Sequence, residues 1–233
     1  MTGKNMSKKR QKRALKNAIP FMLPSFLGMI VFSFLPIIIS IAISFTNWNG
    51  LDKLSYKTLA SNFVFLDNYK QILGTSEFWK VLGHTCYYIV LYIPMVLIMS
   101  LLIASILNKN MKGITAFRIM YYIPVLTSWV AASLIWKWVL SPQYGILNQL
   151  LGYIGISGPG WLTDKVWAMP AIVLASVWKD MGFYGLFLLS GLKAIDTGYY
   201  EAATVDGAGK MKQFFSITLP LLSPSMFFCI IMA

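Results

Sequence analysis

Apolar residues in this chain fall in long, nearly charge-free runs rather than at the alternating spacing of a half-buried strand. The runs are Ala18 to Phe45, His84 to Leu107, Ile119 to Leu140 and Val166 to Leu192. Crossing a bilayer takes about 20 predominantly apolar residues, and each run is long enough. A fifth run starts near Leu221, and the sequence stops inside it at Ala233. The pattern predicts an all-α integral membrane bundle with five spans begun, in a chain cut before its last span or spans. A cleaved signal peptide is the rival for the first run. Its apolar region is normally only about 7–15 residues, so a retained anchor is the expectation.

Composition agrees with the pattern. The chain is 57% hydrophobic and 12% charged, with a mean hydropathy of +0.64, whereas soluble proteins carry roughly 25% charged residues. The net charge of +12 does not form a nucleic-acid face, because most of the chain would lie in lipid. Lys4, Lys8, Lys9, Arg10, Lys12, Arg13 and Lys16 crowd the first 17 residues, which form a basic segment that anchors one end on the cytoplasmic side. With the N-terminus inside, the inner segments gain Lys109, Lys112, Arg118, Lys193, Lys210 and Lys212, thirteen basic residues in all. The outer loops hold five: Lys53, Lys57, Lys70, Lys80 and Lys165. That bias sets the orientation and puts residues 193–220 in the cytoplasm. Lys137 lies close enough to the end of the third run to reach the interface.

Candidate chemistry is sparse. Cys86, Cys229 and His84 make neither a disulfide framework nor a metal site. The acids form no catalytic cluster, so no enzyme activity, metal or cofactor is expected. Inside the fourth run, however, Lys179 and Asp180 are each costly at a helix centre, about 2.5–3.5 kcal/mol. Ser176, Asp180 and Tyr184 are spaced i, i+4, i+8, forming a polar stripe flanked by Trp178 and Lys179. The stripe faces either a solute path, where Trp and Tyr offer stacking surfaces, or another helix against which it packs. The segment Asn68 to Leu82 has the spacing of a short interfacial helix. Ser141 to Lys165 is a Gly- and Pro-rich loop ending in Gly158-Pro-Gly-Trp161.

The most structured polar stretch runs from Glu201 to Pro220. Helix formers with a small face at Ala202 and Ala203 lead to Gly207 and Gly209, which permit a sharp reversal. Met211, Phe214 and Phe215 follow at i, i+3, i+4 as a second apolar face, and Pro220 and Pro224 enter the next span. The prediction is helix, turn, helix at the membrane surface. Gly207-Ala-Gly-Lys210 is not a phosphate-binding loop, since Thr204 stands where that motif needs glycine and Met211 where it needs Ser or Thr.

Glu201-Ala202-Ala203, Gly207 and Ile217-x-Leu219-Pro220 resemble the cytoplasmic loop signature of permease subunits in binding-protein-dependent ABC importers. Asp206 and Ala208 extend the likeness to the sugar and glycerol-phosphate branch. Phe65-Leu-Asp-Asn-Tyr69, Tyr122-Ile-Pro124, Gly145-Ile-Leu-Asn148 and Trp161-Leu162 carry it from the first span onward. His84-Thr85 departs from the branch, which more often has Asn-Thr there. The resemblance implies a type I ABC importer permease bundle, usually of six spans, over residues 18–233, in a bacterial plasma membrane. It implies that Glu201 anchors an ATPase subunit, that Ala202 and Ala203 fit its cleft and that Gly207 makes the turn. It also implies a second permease, an extracellular or periplasmic solute-binding protein, and a sugar or oligosaccharide as cargo. An ion-gradient-driven secondary transporter or channel is the alternative, and it leaves this loop unexplained.

Overall fold

The computed structural model describes residues 2–51, 55, 61–109 and 112–233. Lys53 and Lys57, counted above for orientation, lie outside the described residues. Among the described residues, four helices are long and apolar enough to cross a membrane: Lys16–Ser44, Ser76–Leu107, Ala168–Ala194 and Lys210–Met232. The chain divides into two compact units, Met1–Val81 and Leu82–Ala233.

In the first unit, helix α1 (Thr2–Met29) runs through a π-turn (Ile30–Phe34) into α2 (Leu35–Ser44). Pro36 has no N–H to give the carbonyl four residues back, and the ladder widens just before it, with the Leu35 N–H bonding to Ile30 O. A short helix α3 (Asp67–Gly74) follows. It is tied to the end of α2 by Asn68, whose Nδ2 donates to Ser44 O at 3.0 Å and Thr46 O at 2.9 Å. Ser44 and Tyr69 hydroxyls bond at 2.6 Å, and Thr46 bridges Phe63. The Phe65-Leu-Asp-Asn-Tyr69 motif is therefore a structural clasp.

The second unit is a helical bundle. Helix α4 (Ser76–Leu107) leads to α5 (Ile114–Leu126), α6 (Trp129–Val139), α7 (Ile146–Tyr153) and α8 (Ala168–Ala194). On α4 the residues Tyr92, Val96, Ser100, Ile103, Ala104 and Leu107 are buried, a single stripe at helical spacing. They pack with Val173, Val177, Leu188 and Leu192 of α8. Between apolar helices in lipid, association rests on close packing and polar contacts rather than on a hydrophobic drive. Gly182 permits a close approach of α5 to α8: a side-chain carbon there would stand 2.9 Å from Tyr121 O and 2.8 Å from Val125 on α5.

The run Ile119 to Leu140, read above as one span, is broken. Helices α5 and α6 meet at 101°. Thr127 closes the first with its hydroxyl on Pro124 O, at 2.6 Å. Ser128 opens the second as an N-cap, accepting from the Ala131 N–H at 3.1 Å. Two adjacent hydroxyl side chains thus satisfy backbone groups that a continuous helix would have paired.

The loop after α6 closes on Asn148. Its Oδ1 accepts from Trp161 Nε1 at 2.6 Å, and its Nδ2 donates to Pro142 O and Pro159 O, each at 3.2 Å. Two separate pieces of the family likeness, Gly145-Ile-Leu-Asn148 and Trp161-Leu162, meet in this one hub.

Candidate functional site

Helix α9 (Thr197–Val205) begins with Asp196 as N-cap, its carboxylate accepting from the Gly198 N–H at 2.8 Å. Its end is closed by a left-handed glycine. Gly207 sits at φ +76°, its N–H bonds Thr204 O at 3.0 Å, and the Ala208 N–H bonds Ala203 O at 2.8 Å. That pair of bonds is the Schellman motif, and the αL geometry costs a side-chain-bearing residue about 1–2 kcal/mol. Gly209 then caps the four-residue helix α10 (Lys210–Gln213). A π-turn (Phe214–Thr218) joins it to α11 (Leu219–Met232), with Pro220 in the first turn, where its missing N–H is harmless.

This closure decides what the loop presents. Glu201, Ala202, Asp206 and Gly207 are exposed, and Ala203 and Ala208 are half-buried. The tip is apolar, with Val205 88% exposed and Met211 also outside. Among the described residues the ion pair present is Lys70–Asp67, so Glu201 carries its charge outward. Met211 and Phe215 are exposed while Phe214 is half-buried. The predicted three-residue face is thus split where the π-turn begins.

The polar stripe of α8 has a different character. Asp180 is half-buried, and its Oδ2 accepts from Tyr92 Oη of α4 at 2.8 Å. Tyr92 stacks on Tyr88, with ring centroids 5.2 Å apart. Buried Tyr184 donates its hydroxyl to Met232 O at 2.9 Å.

Lys179 points elsewhere, as neighbouring helical residues stand about 100° apart. Only 6% exposed, its ammonium donates to Val125 O at 3.0 Å and lies 5.3 Å from the Trp129 ring centre. Val125 is in the last turn of α5, where carbonyls are orphaned. Lys179 therefore caps the broken helix and holds its continuation by a cation–π contact. Trp178 packs edge-on against Trp136 of α6 at 5.8 Å. Ser176 lines a mostly apolar cavity of about 270 Å³ with Trp129, Ala132, Trp136, Leu140 and Ala171.

The structure thus brings Asp180 and Tyr184 together with Tyr88 and Tyr92, and it sends Lys179, Trp178 and Ser176 toward α5 and α6. Tyr88 and Tyr92 were not legible as partners, because nothing local ties them to a residue so far along the chain. Their i, i+4 spacing in an apolar run was the one available signal. Among the described residues no group of His, Cys, Asp and Glu is arranged to hold a metal ion.

The family described as binding-protein-dependent transport system inner membrane component matches residues 72–233. The probable ABC transporter permease protein YesP of Bacillus subtilis is 32% identical over 239 residues, covering all of this chain and 74% of that protein. The trehalose/maltose transport system permease protein MalF of Thermococcus litoralis is 33% identical over 228 residues, covering 98% of this chain and 75% of that protein. A solved bacterial ABC transporter involved in import of the acidic polysaccharide alginate superposes with a TM-score of 0.75. Its sequence identity is 23%, with 98% of this chain and 74% of that one covered.

Proposed function

This chain belongs to the family of binding-protein-dependent transport system inner membrane components, and we propose that it forms one half of the pathway of a sugar importer driven by separate ATPase subunits. It is a multi-pass membrane protein of the permease type, not the energy-supplying subunit. A sugar cargo is supported by the relative named for trehalose and maltose transport. A second permease completes the pathway, and a solute-binding protein delivers the cargo. The basic N-terminal segment supports a cytoplasmic N-terminus.

The observation that carries the reading is the closed helix–turn–helix at Glu201 to Pro220. The cap at Asp196 and the Schellman closure at Gly207 are ordinary helix ends. What a plain linker would not need is the outward-facing Glu201 beside small alanines and the exposed apolar tip at Val205 and Met211. As the dock for an ATPase subunit, each has a role. Glu201 supplies the anchoring charge, Ala202 and Ala203 permit close approach, and Asp206-Gly207-Ala208 sets the reversal. ATP-driven closure of the ATPase dimer then pulls the loop and switches the spans between two states. Glu201→Ala and Gly207→Asp are expected to impair ATPase assembly or coupled uptake. Normal uptake by both variants would sink the assignment.

For the cargo, the reading assigns contact to Asp180 and Tyr184, with Tyr88 and Tyr92 opposite. A carboxylate beside stacked tyrosines offers hydroxyl-binding and stacking chemistry to a sugar. Ser176, Trp178 and Lys179 shape that wall from behind. Uptake by Asp180→Asn and Tyr184→Ala separates this from plain packing: unchanged affinity and rate would favour packing.

A further inference from the structure

A dock that only binds does not transmit force, and the connection from α9 to the membrane looks weak along the backbone. Residues Lys210–Met232 form one continuous 23-residue helix, so the backbone link to α9 is weak only at the turn from Asp206 to Gly209, between α9 and α10. Side chains make up the difference. Half-buried Gln213 spends both amide hydrogens across the turn: its Nε2 donates to Thr204 Oγ1 and to Ala208 O, each at 3.0 Å. Thr204 Oγ1 donates in turn to Tyr200 O at 2.7 Å. At the base, Tyr200 and Thr218 hydroxyls bond at 3.0 Å. Tyr200 and Thr204 are i, i+4 on one face of α9. Thr218 closes the π-turn just before α11. Tyr200, Gln213 and Thr218 are half-buried, whereas Thr204 is exposed beside Glu201, so the Tyr200–Thr218 link is the one shielded from the exposed front.

We propose that Gln213 and the Tyr200–Thr218 pair are positioning residues that make α9 and the start of α11 one lever, so that a pull on the dock moves the span instead of flexing the turn. The inference rests on the reading of this loop as the ATPase dock. Without the two links, ATP turnover continues but its motion is lost in the turn between Asp206 and Gly209. None of the three residues needs to touch the ATPase for this.

The test uses the assembled transporter in lipid nanodiscs, with Cys86→Ser and spin labels at the exposed positions Leu174 and Phe227. The distance between the labels is measured with and without ATP plus vanadate. The wild-type loop is expected to give a trapped-state shift. The double variant Tyr200→Phe/Gln213→Leu is expected to keep the ATPase bound and hydrolysing while losing most of that shift. Thr218→Ser, which keeps the hydroxyl, retains the full shift. A double variant with the wild-type shift overturns the proposal. So does a double variant that releases the ATPase, since the residues would then belong to the dock itself. Glu201→Ala separates the underlying reading: if it leaves the ATPase bound and the shift intact, docking through this loop is wrong whatever the lever does.

Discussion

The loop around Glu201 and the stripe around Asp180 are both polar interruptions in an apolar chain, yet they are closed over very different sequence distances. In the loop, Ala208 bonds to Ala203 and Gly207 to Thr204, and the Gln213 and Tyr200 links reach 9 and 18 residues. In the stripe, Asp180 is held from 88 residues away, Lys179 from 54 and Tyr184 from 48. The loop is a local device whose shape survives small changes in the bundle. The stripe exists only if the helices pack correctly. Loop variants should therefore disturb coupling while leaving the fold intact, and stripe variants should disturb both.

The largest departure is expected at Gly182. Leucine there must push Val125 and the Tyr121 backbone away; overpacking by a few methylenes costs about 1–3 kcal/mol, and more where backbone must shift. Gly182→Leu should lower the thermal unfolding midpoint of the detergent-purified protein and its yield. An unchanged midpoint would mean that α5 and α8 are not held at this contact. Next is Tyr92→Phe, which takes a charge-assisted hydrogen bond from Asp180, worth about 1.5–3 kcal/mol. The midpoint should fall, and Tyr92→Phe/Asp180→Leu should fall by less than the sum of the single changes, because either change alone already removes the bond.

Gly207 tests the other side of the comparison. Gly207→Val meets an αL cost of about 1–2 kcal/mol, confined to the loop, whereas Asn visits αL routinely. Uptake should fall in Gly207→Val and fall less in Gly207→Asn, with unfolding midpoints equal to wild type in both. A lowered midpoint in either would show that the loop is part of the bundle's core. The smallest effect is expected for Lys179→Arg, which keeps a cation for Val125 O and Trp129. Lys179→Met leaves that carbonyl unpaired and should cost about 1 kcal/mol more. Equal midpoints for the two would refute the capping role.

What could be read from the sequence follows the same division. The loop's turn was legible because Gly207 and Gly209 act through their own backbone, and the spans were legible from composition alone. The break inside Ile119 to Leu140 was not, because hydropathy does not register two adjacent hydroxyls. Thr127 and Ser128 look like ordinary small residues in an apolar run until their bonds to Pro124 O and the Ala131 N–H are seen. The stripe was legible as a stripe, at i, i+4, i+8. Its partners were not, and neither was the divergence of Lys179 from Asp180. Adjacent charges of opposite sign suggest a pair, yet the helix turns them toward different neighbours.

The central claim is that the Glu201 loop is the face that meets the ATPase on the cytoplasmic side. Cysteine cross-linking in whole cells tests it most directly. In a Cys86→Ser background, Ala202→Cys on the loop is compared with Tyr153→Cys, which is 87% exposed at the end of α7. Ala202→Cys is predicted to cross-link to the ATPase subunit and to resist a membrane-impermeant thiol reagent. Tyr153→Cys is predicted to react with that reagent and form no such link. Labelling of Ala202→Cys from outside, or an ATPase cross-link formed at Tyr153→Cys, would contradict the account.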